Sequence, residues 1–207
     1  MQHIKNIIFD LGGVIIDIDV PVTFKKFAEV SGKSHDEVAH LFKSNLLFER
    51  HETCDLTDDQ FRNEIRRLLQ INLNDKEIDQ LWNALLFDIP EQRIDLIMKL
   101  NNKFRTFLLS NTNNIHFIEV ENILRKSTPI NSFQEVFEKV YLSHEVKLRK
   151  PHQPIYEFVL NDSKLIPNET LFIDDNADNI AGAASLGIQT IHLQPSNTII
   201  DHLQAYV

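Results

Sequence analysis

A chain of 207 residues is long enough for one sizeable core plus a modest insertion, and too short for three domains. Its composition, 43% hydrophobic and 25% charged, excludes wholesale disorder, a collagen-like repeat and a disulfide framework. A net charge of −9, with 21 basic side chains against 30 acidic ones and no concentrated basic stretch, argues against a nucleic-acid partner.

The single Cys54 cannot form an internal disulfide and points to a reducing compartment, so a cytoplasmic location is expected. The apolar run at 4–18 is interrupted by Asp10 and Asp17 and followed by no small-residue cleavage site, so it reads as mature protein rather than a signal peptide. No run reaches the roughly 18 apolar residues of a membrane span, and no membrane partner is expected.

In chain order, IKNIIF (4–9) is a short buried strand ending at Asp10 and the Gly12-Gly13 pair. From about 20 to 90 no convincing strand occurs. Amphipathic patterns there predict four helices: around Phe24, Phe27 and Ala28; around Val38, Leu41 and Phe42; from Thr57, a plausible N-cap, through Phe61, Ile65 and Leu68; and around Ile78, Leu81 and Trp82. Beyond 90, strands at 104–109, 139–142, 170–173 and 189–193 alternate with helical patterns at 94–100, 115–124, 154–160 and 176–186. That alternation predicts an α/β fold with a parallel, Rossmann-like sheet. The expected organisation is a core of 1–18 plus 91–207 with an inserted helical cap at 19–90.

In an open parallel sheet, ligands bind where the strands' carboxyl ends open into a crevice. The residues at those ends are Asp10, then Ser110 and Asn111, then Lys150, then Asp174 and Asp175. Converging carboxylates repel unless a cation joins them, and hard oxygen ligands beside a phosphate select Mg²⁺. The Ser110 hydroxyl, the Asn111 amide and the compact charge of Lys150 suit phosphate oxygens. Singly, each has a plainer reading: Asp10 as a turn residue, Ser110-Asn111 as helix caps, Lys150 as surface charge before a helix that starts with proline. Independent capping does not predict the ordered set.

FDLGGVIID (9–17), LLSNT (108–112), Lys150 in RKPHQPIY and FIDDNADNIAGA (172–183) resemble, in order, the four motifs of the haloacid dehalogenase-like superfamily. The nearest-looking branch holds bacterial α-D-glucose-1-phosphate phosphatases and the N-terminal phosphatase domains of epoxide hydrolases. The resemblance implies that Asp10 is a nucleophile forming an aspartyl-phosphate. It also implies that Asp10, the Gly12 carbonyl, Asp175 and nearby Asp174 bind Mg²⁺, while Ser110, Asn111 and Lys150 hold the phosphoryl group. One departure stands out: the phosphatase pattern usually places a second Asp, the general acid, where this chain has Gly12. Substrate contacts are expected from the interhelical segment 48–54 of the cap, chiefly Glu49 and His51, the latter where relatives commonly carry Gly. His116, Phe117 and Trp82 read as packing residues.

The expected function is Mg²⁺-dependent hydrolysis of a small phosphorylated metabolite, a sugar phosphate such as an anomeric 1-phosphate, by a monomer. Two alternatives are a phosphate-binding protein that lost turnover with the acid at Gly12, and a 2-haloacid dehalogenase. The Asp174-Asp175 pair argues against the second, whose site would leave those charges unpaired.

Overall fold

Strand β1 (Asn6–Phe9) is buried at every residue, the condition of a central parallel strand with both faces covered. In the computed structural model, which describes residues 3–207, it is the middle strand of five. β2 (Arg105–Ser110) and β3 (Lys139–Leu142) lie on one side, and β4 (Thr170–Asp174) and β5 (Gln189–His192) on the other. The order is β3-β2-β1-β4-β5 and every pairing is parallel.

Between β1 and β2 run α1 (Val20–Ser31), α2 (His35–Ser44), α3 (Leu47–Glu52), α4 (Asp58–Leu69), α5 (Asp75–Trp82) and α6 (Glu91–Leu100). After β2 come α7 (Asn114–Ser127), then α8 (Ser143–Val146) and α9 (Gln153–Asp162) after β3, α10 (Ala177–Ala184) after β4 and α11 (Ile199–Leu203) after β5.

Alternation along β1 sends its side chains to two separate cores. Ile7 and Phe9 join Ile94, Ile97 and Leu100 of α6, Val120 and Leu124 of α7, and Ile199 and Leu203 of α11. Ile8 joins Phe107, Phe172, Tyr156 and Val159 on the opposite face, under α9 and α10. The result is the three-layer α/β architecture expected from the sequence.

A third cluster, built on Phe27, Val38, Phe42, Phe61, Ile65, Ile78 and Trp82, belongs to α1–α5. Three of these helices open with full capping boxes, Ser34/Glu37, Thr57/Gln60 and Asn74/Glu77. The sequence predicts four helices here, and the structure has five. The additional one is α3, which occupies most of the segment expected to be an interhelical turn. Its six residues follow Leu46 in a left-handed conformation with no side-chain cap, so no start signal marks it. The left-handed turn after it falls at Cys54, with φ of 62°, whereas His51 is helical.

The inserted helices are seated on the sheet layer through α7. Ile115 belongs to their cluster, and His116 stacks on Trp82 with ring centroids 4.5 Å apart. Burial holds the His116 imidazole neutral, with its pKa pulled down to about 3. Its Nε2 lies 3.2 Å from the Trp82 carbonyl, which also accepts from Thr23. His116 and Trp82 are therefore packing residues, as read from the sequence. The connections form an antiparallel bridge at Ile18 and Leu86, tightened by mutual main-chain bonds between 17 and 87–88.

Helix α10 approaches the segment before α9 so closely that Gly182 is required. A Cβ there would lie 2.4 Å from the Pro151 carbonyl oxygen and 3.0 Å from the Tyr156 ring. Gly182→Ala is expected to destabilise the protein by about 1–3 kcal/mol, the usual cost of overpacking. An unchanged denaturant midpoint would show that the two segments separate freely.

Candidate active site

Three of the sheet's carboxyl ends meet at one buried ammonium. Lys150 is 1% exposed, and its Nζ donates to Asp10 Oδ1 at 2.7 Å, Asp174 Oδ2 at 2.7 Å and the Leu109 carbonyl at 2.9 Å. All three donors of the ammonium are satisfied, which burial demands. Asp10 follows β1, Leu109 lies in β2 and Asp174 closes β4, so the lysine ties together strands distant in sequence.

The plainer readings of these residues fail on geometry. The N-cap of α7 is Asn113, which accepts from the His116 N–H, so Ser110 and Asn111 are not its caps. Lys150 is enclosed, and α9 begins three residues beyond it. Ser110 is buried at the end of β2. The Asn111 side chain, expected to face phosphate oxygens, instead grips the lysine's main chain: its Nδ2 donates to the Lys150 carbonyl and its Oδ1 accepts from the Lys150 N–H, both at 2.9 Å.

Asp174 is saturated. Besides Lys150 it accepts from the Asn176 N–H at 2.8 Å and from Asn179 Nδ2, which spans both oxygens at 3.1 and 3.0 Å. Asp175 lies against the turn after β1, where Gly13 has φ of 71° and a Cβ would sit 2.3 Å from Asp175 Oδ2. Only glycine accommodates both demands. Gly12 is less confined, because a Cβ there would meet only the Ile18 side chain, at 2.9 Å from its Cδ1. Arg93 braces this turn from α6, with Nη1 3.1 Å from the Ile15 carbonyl and 2.8 Å from Asp17.

One ammonium faces three carboxylates, and the imbalance appears in their protonation. Burial pushes the Asp10 carboxyl up to about 7; Lys150 opposes the rise, while Asp174 and Asp175 add to it. Burial, then the Asp174 charge, also raises Asp175. The lysine is held above its ordinary range because Asp10 and Asp174 outweigh burial. Ligand oxygens of Asp10, Asp174 and Asp175 lie within 4.8 Å of one another. Hard, anionic and short of positive charge, this set fits a divalent cation. Of the three, Asp175 borders a cavity of about 320 Å³ that Gly13, Asp17 and Arg93 also line. A larger groove of about 660 Å³ lies between α4, α5 and α7, away from them.

The cap residues divide. Glu49 lines a cavity of about 290 Å³ between α3 and residues 147–155. His51 is 2% exposed and turned into the cap, stacked on Phe61 at 3.9 Å with Nε2 2.8 Å from Asp58. Asp58 in turn accepts from Asn114 at the start of α7. Sequence reasoning did not single out Asn179, Arg93 or Arg149, the half-buried partner of Glu52. Only Asn179 left a trace, as a polar residue one helical turn into an otherwise Ala-rich helix.

A parallel sheet whose central strand ends in a buried aspartate, paired through lysine to a second acid at the end of the neighbouring strand, marks an enzyme of the hydrolase class built on an α/β sheet. A family model of haloacid dehalogenase-like hydrolases matches residues 4–187, and the chain belongs to that family. The D-ribitol-5-phosphate phosphatase of Bacteroides thetaiotaomicron is 32% identical over 196 residues, covering 94% of this chain and 93% of that one. A HAD family enzyme from the same organism, solved with magnesium and inorganic phosphate, is 36% identical with a TM-score of 0.84, covering 94% and 96% of the two chains. A HAD-like family hydrolase from Porphyromonas gingivalis superposes with a TM-score of 0.87 at 28% identity over 98% and 97%. Among the described residues, no helix is long and apolar enough to cross a membrane.

Because the folded-state pKa of Asp10 lies above its ordinary 3.8, its contribution to stability is complete below that value and is lost as pH rises toward 7. In EDTA-treated protein, the melting temperature relative to Asp10→Asn is expected to fall between pH 4 and pH 7. Parallel curves for the two proteins would remove this source of strain.

Proposed function

We propose that this protein is a Mg²⁺-dependent phosphomonoesterase acting on a small hydroxylated metabolite. The observation that carries the reading is the Asp10–Lys150–Asp174 assembly with Asp175 beside it at the strand ends. The magnesium and phosphate held by a relative of 36% identity support it, as does a relative that acts on ribitol 5-phosphate.

Asp10, the Gly12 carbonyl and Asp175 would hold the cation, with Asp174 behind them because Lys150 and Asn179 already occupy its oxygens. Bound there, the ion would offset the carboxylate charge and that of the phosphoryl oxygens. Asp10 attacks phosphorus opposite the leaving oxygen, forming an aspartyl-phosphate that water then hydrolyses. Lys150 favours the ionised form of the nucleophile, orients it, and meets the charge developing on the phosphoryl group. Ser110 and the Asn111 main-chain N–H follow β2, the strand whose Leu109 carbonyl accepts from Lys150. Their contribution is to fix the phosphoryl oxygens during transfer.

Asp10→Asn is expected to abolish phosphate release from a panel of sugar and polyol phosphates while leaving the fold intact, and EDTA should silence the wild type reversibly. Turnover that survives both treatments would exclude this mechanism. Binding of inorganic phosphate without any turnover would favour the phosphate-binding alternative.

Gly12 shapes the selectivity within this class. With no carboxylate there to protonate the leaving oxygen, acidic leaving groups such as an anomeric sugar hydroxyl should depart faster than primary alkoxides. The expected result is a rate that climbs steeply with leaving-group acidity, and a shallower slope in Gly12→Asp, whose Cβ meets only the tip of the flexible Ile18 side chain. A flat series in the wild type would mean that another group performs full proton transfer.

A further inference from the structure

Glu52 ends α3 and is buried, yet its partner lies outside the inserted helices. Arg149, immediately before Lys150, places Nε 3.1 Å and Nη2 2.9 Å from the same oxygen, Oε2. Among the described residues, Oε1 has no hydrogen-bond donor. Nor is it sealed in: the enclosed polar atoms without partners are His51 Nδ1, Asn83 Oδ1 and His202 Nε2. A carboxylate is thus oriented by a guanidinium through one oxygen while the other stays open at the seam between cap and sheet.

The site lies close by. The Lys150 charge bears on Glu52, although burial, the largest influence, still holds its carboxyl above the ordinary range. Arg149 directly precedes Lys150 in the chain, so the ion pair brings Glu52 to the border of the site. The neighbouring candidates are otherwise engaged. His51 donates its Nε2–H to Asp58 and has its other nitrogen enclosed, and Glu49 faces the outer groove.

We infer that Glu52, oriented by Arg149, is a specificity-determining residue whose free oxygen accepts a hydrogen bond from a hydroxyl of the leaving group. The selected substrates are polyol and sugar phosphates, in preference to phosphates of bare alcohols. The inference rests on the phosphomonoesterase reading above and deepens it. A hydrogen bond to a charged group contributes about 10- to 100-fold in discrimination when the alternative leaves that group unpaired.

The test compares a pentitol 5-phosphate with 1-pentyl phosphate, which share chain length and a primary alkoxide leaving group and differ in hydroxyls. Wild-type kcat/KM should favour the polyol ester by at least tenfold. Glu52→Gln, and Glu52→Asp, which keeps the charge but shortens the reach, should each cut that preference by at least tenfold, mainly through KM; Glu52→Asp carries the test if Glu52→Gln does not fold.

Equal losses on both esters would identify the pair as a structural tie or Glu52 as a proton carrier, and overturn the inference. An unchanged preference in both variants would overturn it as well. Wild-type protein inert on both esters and on p-nitrophenyl phosphate would instead overturn the phosphatase reading, and this inference with it.

Discussion

A fully buried ammonium is tolerable only where every donor finds an acceptor and enough negative charge surrounds it. Lys150 meets that condition by drawing on three strands at once, and the surrounding architecture serves the same end. Asn111 fixes its main chain from one side. Gly182 lets α10 reach the next residue, and Tyr156 donates to the Asn179 carbonyl at 2.8 Å, steadying the residue that clamps Asp174. The groups that would do the chemistry are therefore also groups on which the local fold rests.

On the proposed reading, chemistry and recognition are divided between two bodies of structure. The strand ends would hold the phosphoryl group and, through Gly12, bear on the leaving oxygen. Contact with the rest of the substrate would fall to the inserted helices, which present α3 to the seam and rest through Trp82 on Ile115 and His116 of the helix following Ser110. The cap's position is thereby referred to the same strand end that borders the phosphoryl space, so a small shift in one is felt by the other.

Much of this was legible in the residues because it depends on local pattern. Five strands announced themselves as short apolar runs, and the acids, hydroxyl and lysine fell at their ends. Thr57 declared a helix start through its capping box. What stayed hidden was long-range or unsignalled. Nothing in SNT says that Asn111 will bond a main chain 39 residues away, and α3 lacks both length and caps. His51 looked like a ligand by type, but stacking on Phe61 and bonding to Asp58 depend on packing between helices. Glu52 lies in the cap segment expected to meet substrate and Arg149 opens RKPHQPIY, but they are 97 residues apart and neither stretch shows that they pair.

The central place of β1 has a consequence for how the molecule comes into being. It leaves the ribosome before both of its neighbours: β2 follows all of the inserted helices, and Thr170 of β4 pairs with Asn6 across more than 160 residues. Such distant pairings close slowly, because loop entropy must be overcome before contacts reward it. During that interval the helical insert can mature around its own apolar cluster while the sheet waits. Asp10 stands 140 residues from the lysine that will partner it, so a nascent chain carries the proposed nucleophile long before it can carry the site.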